Sequence, residues 1–210
     1  IHKYKYAVDF LDHATGIFAV EYIKSKQSDY VQEAFKRFIR KHKRYLHDSR
    51  NPNPGCVYQW HTDNGGEFIS DNLDTFCDEL SIKRSWSVPY SHNTNARVER
   101  MWGLILRPMR AMFADSRLPL TFWPEAMDCA VRLHNSLPSS SQEHNISPFE
   151  RLTGMLPDLS KIRVFGCKVW YRLPARDVKS KLLPKSVEAI NLGLDPFRPG
   201  YRVFVPSLRR

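Results

Sequence analysis

Two acidic residues with 35 positions between them, Asp63 and Glu99, have the side chains and the setting that divalent-metal chemistry needs. Asp63 ends a short β-favouring run and opens a permissive turn over residues 64–66, and open α/β sheets place their chemistry just beyond strand ends. Glu99 falls in the first turns of a long helical pattern. Because Mg²⁺ takes carboxylate oxygens, we predict that the two acids meet at one hard cation. The structural alternative is that Asp63 caps a turn and Glu99 faces solvent beside Arg97 and Arg100.

Alternating strand and helix patterns supply the elements that must position these acids, so the predicted fold class is α/β. The patterns predict a hairpin over residues 4–23, a helix from Ser28, a strand over 56–61, a helix over 69–80, a strand over 82–88, helices over 96–114 and 121–135, and a short helix capped by Ser147. Four tryptophans are expected in the core, with base-stacking platforms for nucleic acid as the alternative: Trp60, Trp86, Trp102 and Trp123.

Positive charge is concentrated in the last 50 residues, where the pattern turns β-rich. Residues 161–210 hold 12 Lys and Arg against three Asp and Glu, a net of +9 in a chain whose total is +10. A surface of this kind suits a polyanion, because neutralising phosphates releases counterions. The candidates for tracking a DNA backbone are Lys168, Arg172, Lys179, Lys181 and Lys185. Protein contacts or simple solubility are the alternatives.

Composition excludes several classes of protein. Hydrophobic residues make up 42% and charged residues 26%, which is typical of a folded domain rather than a disordered or collagen-like chain. The sequence shows no membrane-span pattern and no secretory leader, so we expect no membrane partner. The scattered cysteines predict neither a zinc site nor a disulfide framework. The apolar pattern already runs by Tyr4, which suggests a piece of a longer polypeptide.

Several motifs occur together in a specific order. They are His61-Thr62-Asp63-Asn64-Gly65-Gly66-Glu67-Phe68, Val88-Pro89-Tyr90-Ser91, Asn95 with Glu99-Arg100, Phe122-Trp123-Pro124-Glu125-Ala126, Ser147-Pro148-Phe149-Glu150 and Arg163-Val164-Phe165-Gly166-Cys167. In this order, and with the 35-residue spacing, they resemble the integrase catalytic core of copia-type LTR-retrotransposon Pol polyproteins, which belong to the retroviral integrase superfamily. From about Ile162 the chain resembles the small SH3-like domain that follows this core.

The resemblance implies a ribonuclease H-like core with a mixed sheet and flanking helices, in which two Asp and one Glu hold two Mg²⁺ or Mn²⁺ ions. Asp63 and Glu99 match the second and third acids. The first Asp is expected upstream of Ile1, with the first strand, and Asp12 and Asp9 are the possible stand-ins. The residues around the acids that are expected to contact DNA are Asn64, Asn95, Arg97 and Arg100.

The resemblance also implies a domain order and a function. We expect an N-terminally truncated core over residues 1–115, a helical extension and linker over 116–157, and a basic SH3-like domain over 158–210. The implied function is DNA integration, by metal-dependent 3′-end processing and strand transfer, with this fragment inactive alone. The alternative is a non-catalytic DNA-binding module from a decayed or co-opted element. Expected partners are double-stranded DNA and further copies of the chain, in the nucleus after a possible cytoplasmic particle stage.

Overall fold

The computed structural model of the chain describes residues 3–46, 53, 55–87, 96–138, 145–178, 180, 182–195 and 198–208. The chain divides into two compact units, one formed by residues 1–104 and 134–157 and the other by residues 105–133 and 158–210. The elements of the first unit are β1 (Tyr6–Leu11), β2 (Phe18–Ile23), α1 (Ser28–His42), β3 (Gln59–Thr62), α2 (Asp71–Glu79), β4 (Lys83–Trp86) and α5 (Pro148–Thr153). The domain boundaries inferred from the sequence stay predictions.

The predicted hairpin is confirmed: β1 pairs antiparallel with β2, from Tyr6 opposite Ile23 to Leu11 opposite Phe18. The turn between them forms locally, because the Asp12 carboxylate accepts the backbone N–H groups of Ala14 and Thr15.

Helix α1 packs against this hairpin through the apolar stripe that the sequence predicted. Its buried residues are Val31, Ala34, Phe35, Phe38 and Ile39. On another face of α1, Arg37 Nε donates to the buried carboxylate of Glu21 on β2 at 2.9 Å. Lys41 pairs with the same carboxylate. The basic residues of α1 therefore include two whose charge anchors the helix to β2.

Strands β3 and β4 pair in parallel and are joined through α2, as the strand–helix–strand pattern predicted. Among the described residues, β1–β2 and β3–β4 form two separate two-stranded sheets instead of one mixed sheet. A shared aromatic core joins them: the Phe35 ring lies 3.9 Å from the Trp60 ring and 5.7 Å from the Phe10 ring, measured between centroids. Phe35 thus supports the strand that ends beside Asp63.

The predicted core position of Trp86 is wrong. Its side chain is 44% exposed at the end of β4, whereas Trp60 is buried. The Arg84 guanidinium lies over both rings, 5.3 Å from the Trp60 centroid and 5.0 Å from the Trp86 centroid. A cation–π contact of this kind partly covers Trp86 without burying it.

Two further helices are α3 (Ala96–Ser116), which contains Pro108, and α4 (Trp123–Ser136). The first half of α3 belongs to the first unit, where the Trp102 ring meets Phe18 edge-on at 5.9 Å. Asn135 binds the edge of the hairpin, since its side-chain amide accepts from the Phe18 N–H at 3.0 Å and donates to the Phe18 carbonyl at 2.8 Å. Ser147 caps α5 as predicted, accepting the Glu150 N–H at 3.1 Å.

In the second unit, β5 (Lys168–Arg172), β6 (Ser186–Leu194) and β7 (Tyr201–Phe204) form an antiparallel sheet in that order. Arg202 of β7 donates to Asp128 of α4 at 2.7 Å, and the Phe204 and Phe122 rings lie 5.1 Å apart. The β-rich tail is therefore confirmed as a three-stranded sheet packed on helical residues. The SH3-like barrel stays a prediction. Within the described part of the chain, no helix has the length and apolarity of a membrane span.

Candidate metal and nucleic-acid site

Asp63 lies at the carboxyl end of β3, with its side chain exposed. Its Oδ1 accepts the Gly65 N–H at 3.1 Å, which fixes the carboxylate over the turn. The next residue, Asn64, donates from its side-chain amide to the Ser87 carbonyl at 3.0 Å, and the Ser87 N–H donates to the Thr62 carbonyl at 2.9 Å. The turn that carries the acid is therefore tied to the end of β4, and Asn64 has a positioning role in it.

His61 is a residue of this site that the sequence analysis did not assign. Its ring nitrogens lie 2.9 Å from Ser85 Oγ and 3.2 Å from Ser87 Oγ, so two serines orient the imidazole. Residues two apart on a strand point to the same face, and this alternation could have placed His61 beside Asp63.

Asp9 and Asp12, the two possible stand-ins for the first acid, differ sharply in environment. Burial raises the pKa of Asp9, and the charge of Asp63 adds a smaller rise, while a hydrogen bond from Trp102 opposes it. Asp12 is occupied by its own turn, since its carboxylate accepts two backbone N–H groups and the Thr15 hydroxyl. Asp12 is thus engaged within its own turn, whereas Asp9 responds to the charge of Asp63.

The start of α3 brings cationic groups to the same region. Arg97 and Val98 line a cavity together with Asp9, Asp12 and Asp63. His13 lies on this cavity too, and its pKa is lowered, chiefly by burial and then by the charge of Arg97. The residues that follow Val98, Glu99 and Arg100, are exposed.

Within the described residues, no three His, Cys, Asp or Glu side chains lie close enough together to hold a metal ion. The meeting of Asp63 and Glu99 at a cation therefore stays a prediction. What the structure brings together is a pair of aspartates, Asp9 and Asp63, with Arg97 and His13 near them.

The cavity has a volume of about 700 Å³ and is bordered by β1, β3 and α1. Both strands turn a backbone edge toward it. The Asp12 N–H donates to the carbonyl of Ile17, the residue before β2, so in an antiparallel ladder the backbone groups of Leu11 and Asp9 point away from β2. Along β3, the Tyr58 carbonyl accepts from Lys83 and the Thr62 carbonyl from Ser87, at the two ends of β4. Gln59 and His61 therefore present their backbone groups to the opposite side.

The predicted DNA contacts in the tail are exposed where the structure describes them. Lys168, Arg172 and Lys185 are exposed, and Lys168 Nζ lies 2.8 Å from Glu188 Oε2, so one of these charges is paired. Lys179 and Lys181 lie outside the described residues, as does Asn95 beside α3.

Comparison with curated proteins gives a consistent result over nearly the whole chain. The chain is 30% identical over 206 residues to the "Retrovirus-related Pol polyprotein from transposon TNT 1-94" of Nicotiana tabacum. The matched residues are 98% of this chain. It is 31% identical over 199 residues to the corresponding polyprotein from transposon RE1 of Arabidopsis thaliana, which covers 95%. The chain is homologous to retrotransposon Pol polyproteins. It spans 15% and 13% of the length of these two relatives.

Solved structures show the fold of this Pol polyprotein homologue. It matches a chain of the simian T-cell lymphotropic virus intasome in complex with PP2A regulatory subunit B56 gamma, with a TM-score of 0.58 and 16% identity, over 95% of this chain and 69% of that one. It also matches the HTLV-2 integrase catalytic core domain in complex with magnesium, in a trimeric form, with a TM-score of 0.51 and 23% identity. This match covers 68% of this chain and 80% of that one. The fold is thus that of a retroviral integrase catalytic core. No protein-family model matches the chain.

Proposed function

We propose that this chain is part of an integrase that joins retrotransposon DNA to host DNA by metal-dependent polynucleotidyl transfer. The observation that carries the proposal is the carboxylate of Asp63, which is exposed at the end of a parallel strand, held by the Gly65 N–H, and lines the same cavity as Asp9. The position of this acid within an integrase-core fold supports a role at the scissile phosphodiester.

The donor chemistry around Asp63 fits a divalent cation. Asp63 and Glu99 would supply carboxylate oxygens, as Mg²⁺ and Mn²⁺ require, and both side chains are exposed.

The roles of the chain's own residues follow from their positions. Bound divalent ions would activate the attacking oxygen and offset the charge that develops on the phosphate. Arg97 and His13 lie on the cavity and are placed to contact the phosphates of the DNA strands. Asn64 holds the Asp63 turn against Ser87, so that the carboxylate is positioned before DNA binds.

A third carboxylate is needed for the complete site, and the cavity suggests how it is supplied. We propose that an additional strand lies between β1 and β3, where it bonds to both edges and brings an acid beside Asp63. Asp9 lines the same gap, but its carboxylate already accepts a hydrogen bond from Trp102. Nuclear localisation belongs to the same proposal, since the substrate would be chromosomal DNA.

The first test measures metal binding by the chain as it stands, through loss of the electron paramagnetic resonance signal of free Mn²⁺. Asp63→Asn is expected to weaken binding by about tenfold or more, because it removes one anionic ligand. Asp115→Asn, which neutralises an exposed acid on the second half of α3, is the matched control and leaves binding unchanged. Equal affinity in all three proteins would contradict the assignment of Asp63.

The second test supplies the additional strand by extending the chain at its N terminus with the polyprotein sequence. Strand transfer of a labelled duplex into a plasmid should then appear with Mg²⁺ or Mn²⁺, and it should be lost in Asp63→Asn and Glu99→Gln. An extended chain that binds duplex DNA but transfers none would support the second candidate function, a non-catalytic DNA-binding module. The observation in favour of that function is the exposure of Lys168, Arg172 and Lys185 in a segment, residues 161–210, whose net charge is +9.

A further inference from the structure

A large aromatic side chain stands exposed on the outer face of the C-terminal sheet. Trp170, in the middle of strand β5, is 69% exposed. Its neighbours Val169 and Tyr171 are half-buried on the opposite face, because side chains alternate along a strand. Trp170 therefore shares its face with Lys168 and Arg172, each about 6.6 Å away along the strand at ~3.3 Å per residue.

The surroundings of Trp170 are basic and solvated. Opposite it on β6 lies Glu188, whose carboxylate is engaged by Lys168 at 2.8 Å, while Arg172 lies opposite Ser186. Exposed Lys185 precedes Ser186, and its carbonyl accepts the Leu173 N–H at the end of β5. The whole 161–210 segment carries a net charge of +9.

Charges on an edge strand alone have an ordinary explanation, because Lys and Arg protect such edges from pairing with other chains. An indole at the centre of the same face does not fit that explanation, since it offers apolar surface to a partner. An indole flanked by cations is the combination that binds single-stranded nucleic acid, in which bases stack on the ring while cations contact the backbone. A continuous duplex hides its base faces within the stack and leaves the ring without this contact.

We infer that Lys168, Trp170 and Arg172 of β5 form a binding site for unpaired nucleotides, with a base stacked on the Trp170 indole. This inference rests on the proposed function in that its ligand is nucleic acid, but it adds a site apart from Asp63 and a preference for single strands. Glu188 lowers the affinity expected of this site for nucleic acid, because its carboxylate pairs with Lys168 beside the stacking position.

The test compares binding of a fluorescein-labelled single-stranded oligonucleotide and a duplex of the same length by the full chain at fixed salt. Trp170→Ala should weaken single-strand binding by about tenfold, the magnitude expected for one lost stacking contact, and change duplex binding less than about twofold. Trp170→Phe should retain most of the affinity because it keeps an aromatic face. Leu182→Ala is the matched control, since Leu182 is an apolar residue of the same unit that is 96% exposed and lies outside β5.

Two further measurements locate the contact. Glu188→Gln should strengthen single-strand binding, because it releases Lys168 and removes a negative charge beside the phosphates. Light-induced cross-linking of an iodouracil-containing single strand should modify Trp170, as identified by mass spectrometry.

The inference is overturned if Trp170→Ala leaves single-strand binding unchanged, or weakens duplex binding to the same extent. It is also overturned if Trp170→Ala changes only the oligomeric state, since the indole would then contact another copy of the chain. These outcomes are separable from failure of the proposed function, which is judged by Mn²⁺ binding and strand transfer in Asp63 variants that leave β5 intact.

Discussion

Gly65→Ala isolates the positioning of the Asp63 carboxylate from the stability of the fold. The backbone at Gly65 has φ −59° and ψ 135°, a conformation open to any residue, so alanine introduces no backbone strain. A Cβ at this position would lie 3.0 Å from Asp63 Oδ1 and 2.8 Å from Glu67 Oε2. The flexible end of Glu67 can move aside, whereas the Asp63 carboxylate can move only by loosening its 3.1 Å bond from the Gly65 N–H.

The expected loss is confined to metal binding. Disturbing a group that orients a metal ligand typically lowers affinity by about 10–100-fold, and one displaced carboxylate places Gly65→Ala near the lower end, at about tenfold. The free energy of unfolding should change by less than about 1 kcal/mol. Replacing glycine at a compatible backbone position contributes about 0.4–1 kcal/mol of stability, and the crowded contacts offset that gain.

The assay is Mn²⁺ titration followed by electron paramagnetic resonance, with urea unfolding on the same samples. Gly66→Ala is the control, because a Cβ there meets nothing within 4 Å. Wild-type affinity in Gly65→Ala, or an equal loss in Gly66→Ala, would refute the role assigned to this turn.

Three other predictions concern the elements that hold the site. Burial raises the pKa of Asp9 above its ordinary value of 3.8, so the folded chain holds this proton more tightly and stability falls as pH rises through the raised pKa. Asp9→Asn, which can still accept from Trp102, should therefore be more stable than wild type at pH 7 and equal to it below pH 3.8; unfolding curves that stay parallel across this range would contradict the reasoning. Glu21→Gln should cost about 2 kcal/mol in urea unfolding, less than the ~3–5 kcal/mol of a fully buried pair, because Arg37 and Lys41 are about a third exposed and can rehydrate. The exposed Glu33→Gln should cost less than about 0.5 kcal/mol, and equal costs would count against the Glu21 network. Phe35→Ala should cost about 3–5 kcal/mol, since the ring is 1% exposed and stacks on Trp60, whereas Phe35→Leu should cost less than half as much.

Local patterns in the sequence determined most of the helices and strands. The turn at Asp12, the stripe on α1 and the Ser147 cap depend on residues within four positions of one another, so the sequence contains the information that forms them. The position of Asp63 at a strand end was predictable for the same reason. The motifs that resemble integrases are contiguous strings, and the comparisons confirm the relationship to retrotransposon Pol polyproteins.

Tertiary structure alone decided which residues surround Asp63 and which large side chains remain exposed. The bond from Trp102 to Asp9 joins residues 93 positions apart, and no periodicity reports such a pair. Trp86 and Trp170 both lie in strands, yet each is exposed, because burial depends on whether another element covers that face of the sheet. The sequence of a strand indicates which side chains share a face. Only the packing of the folded chain determines whether that face contacts the core, the solvent or a ligand.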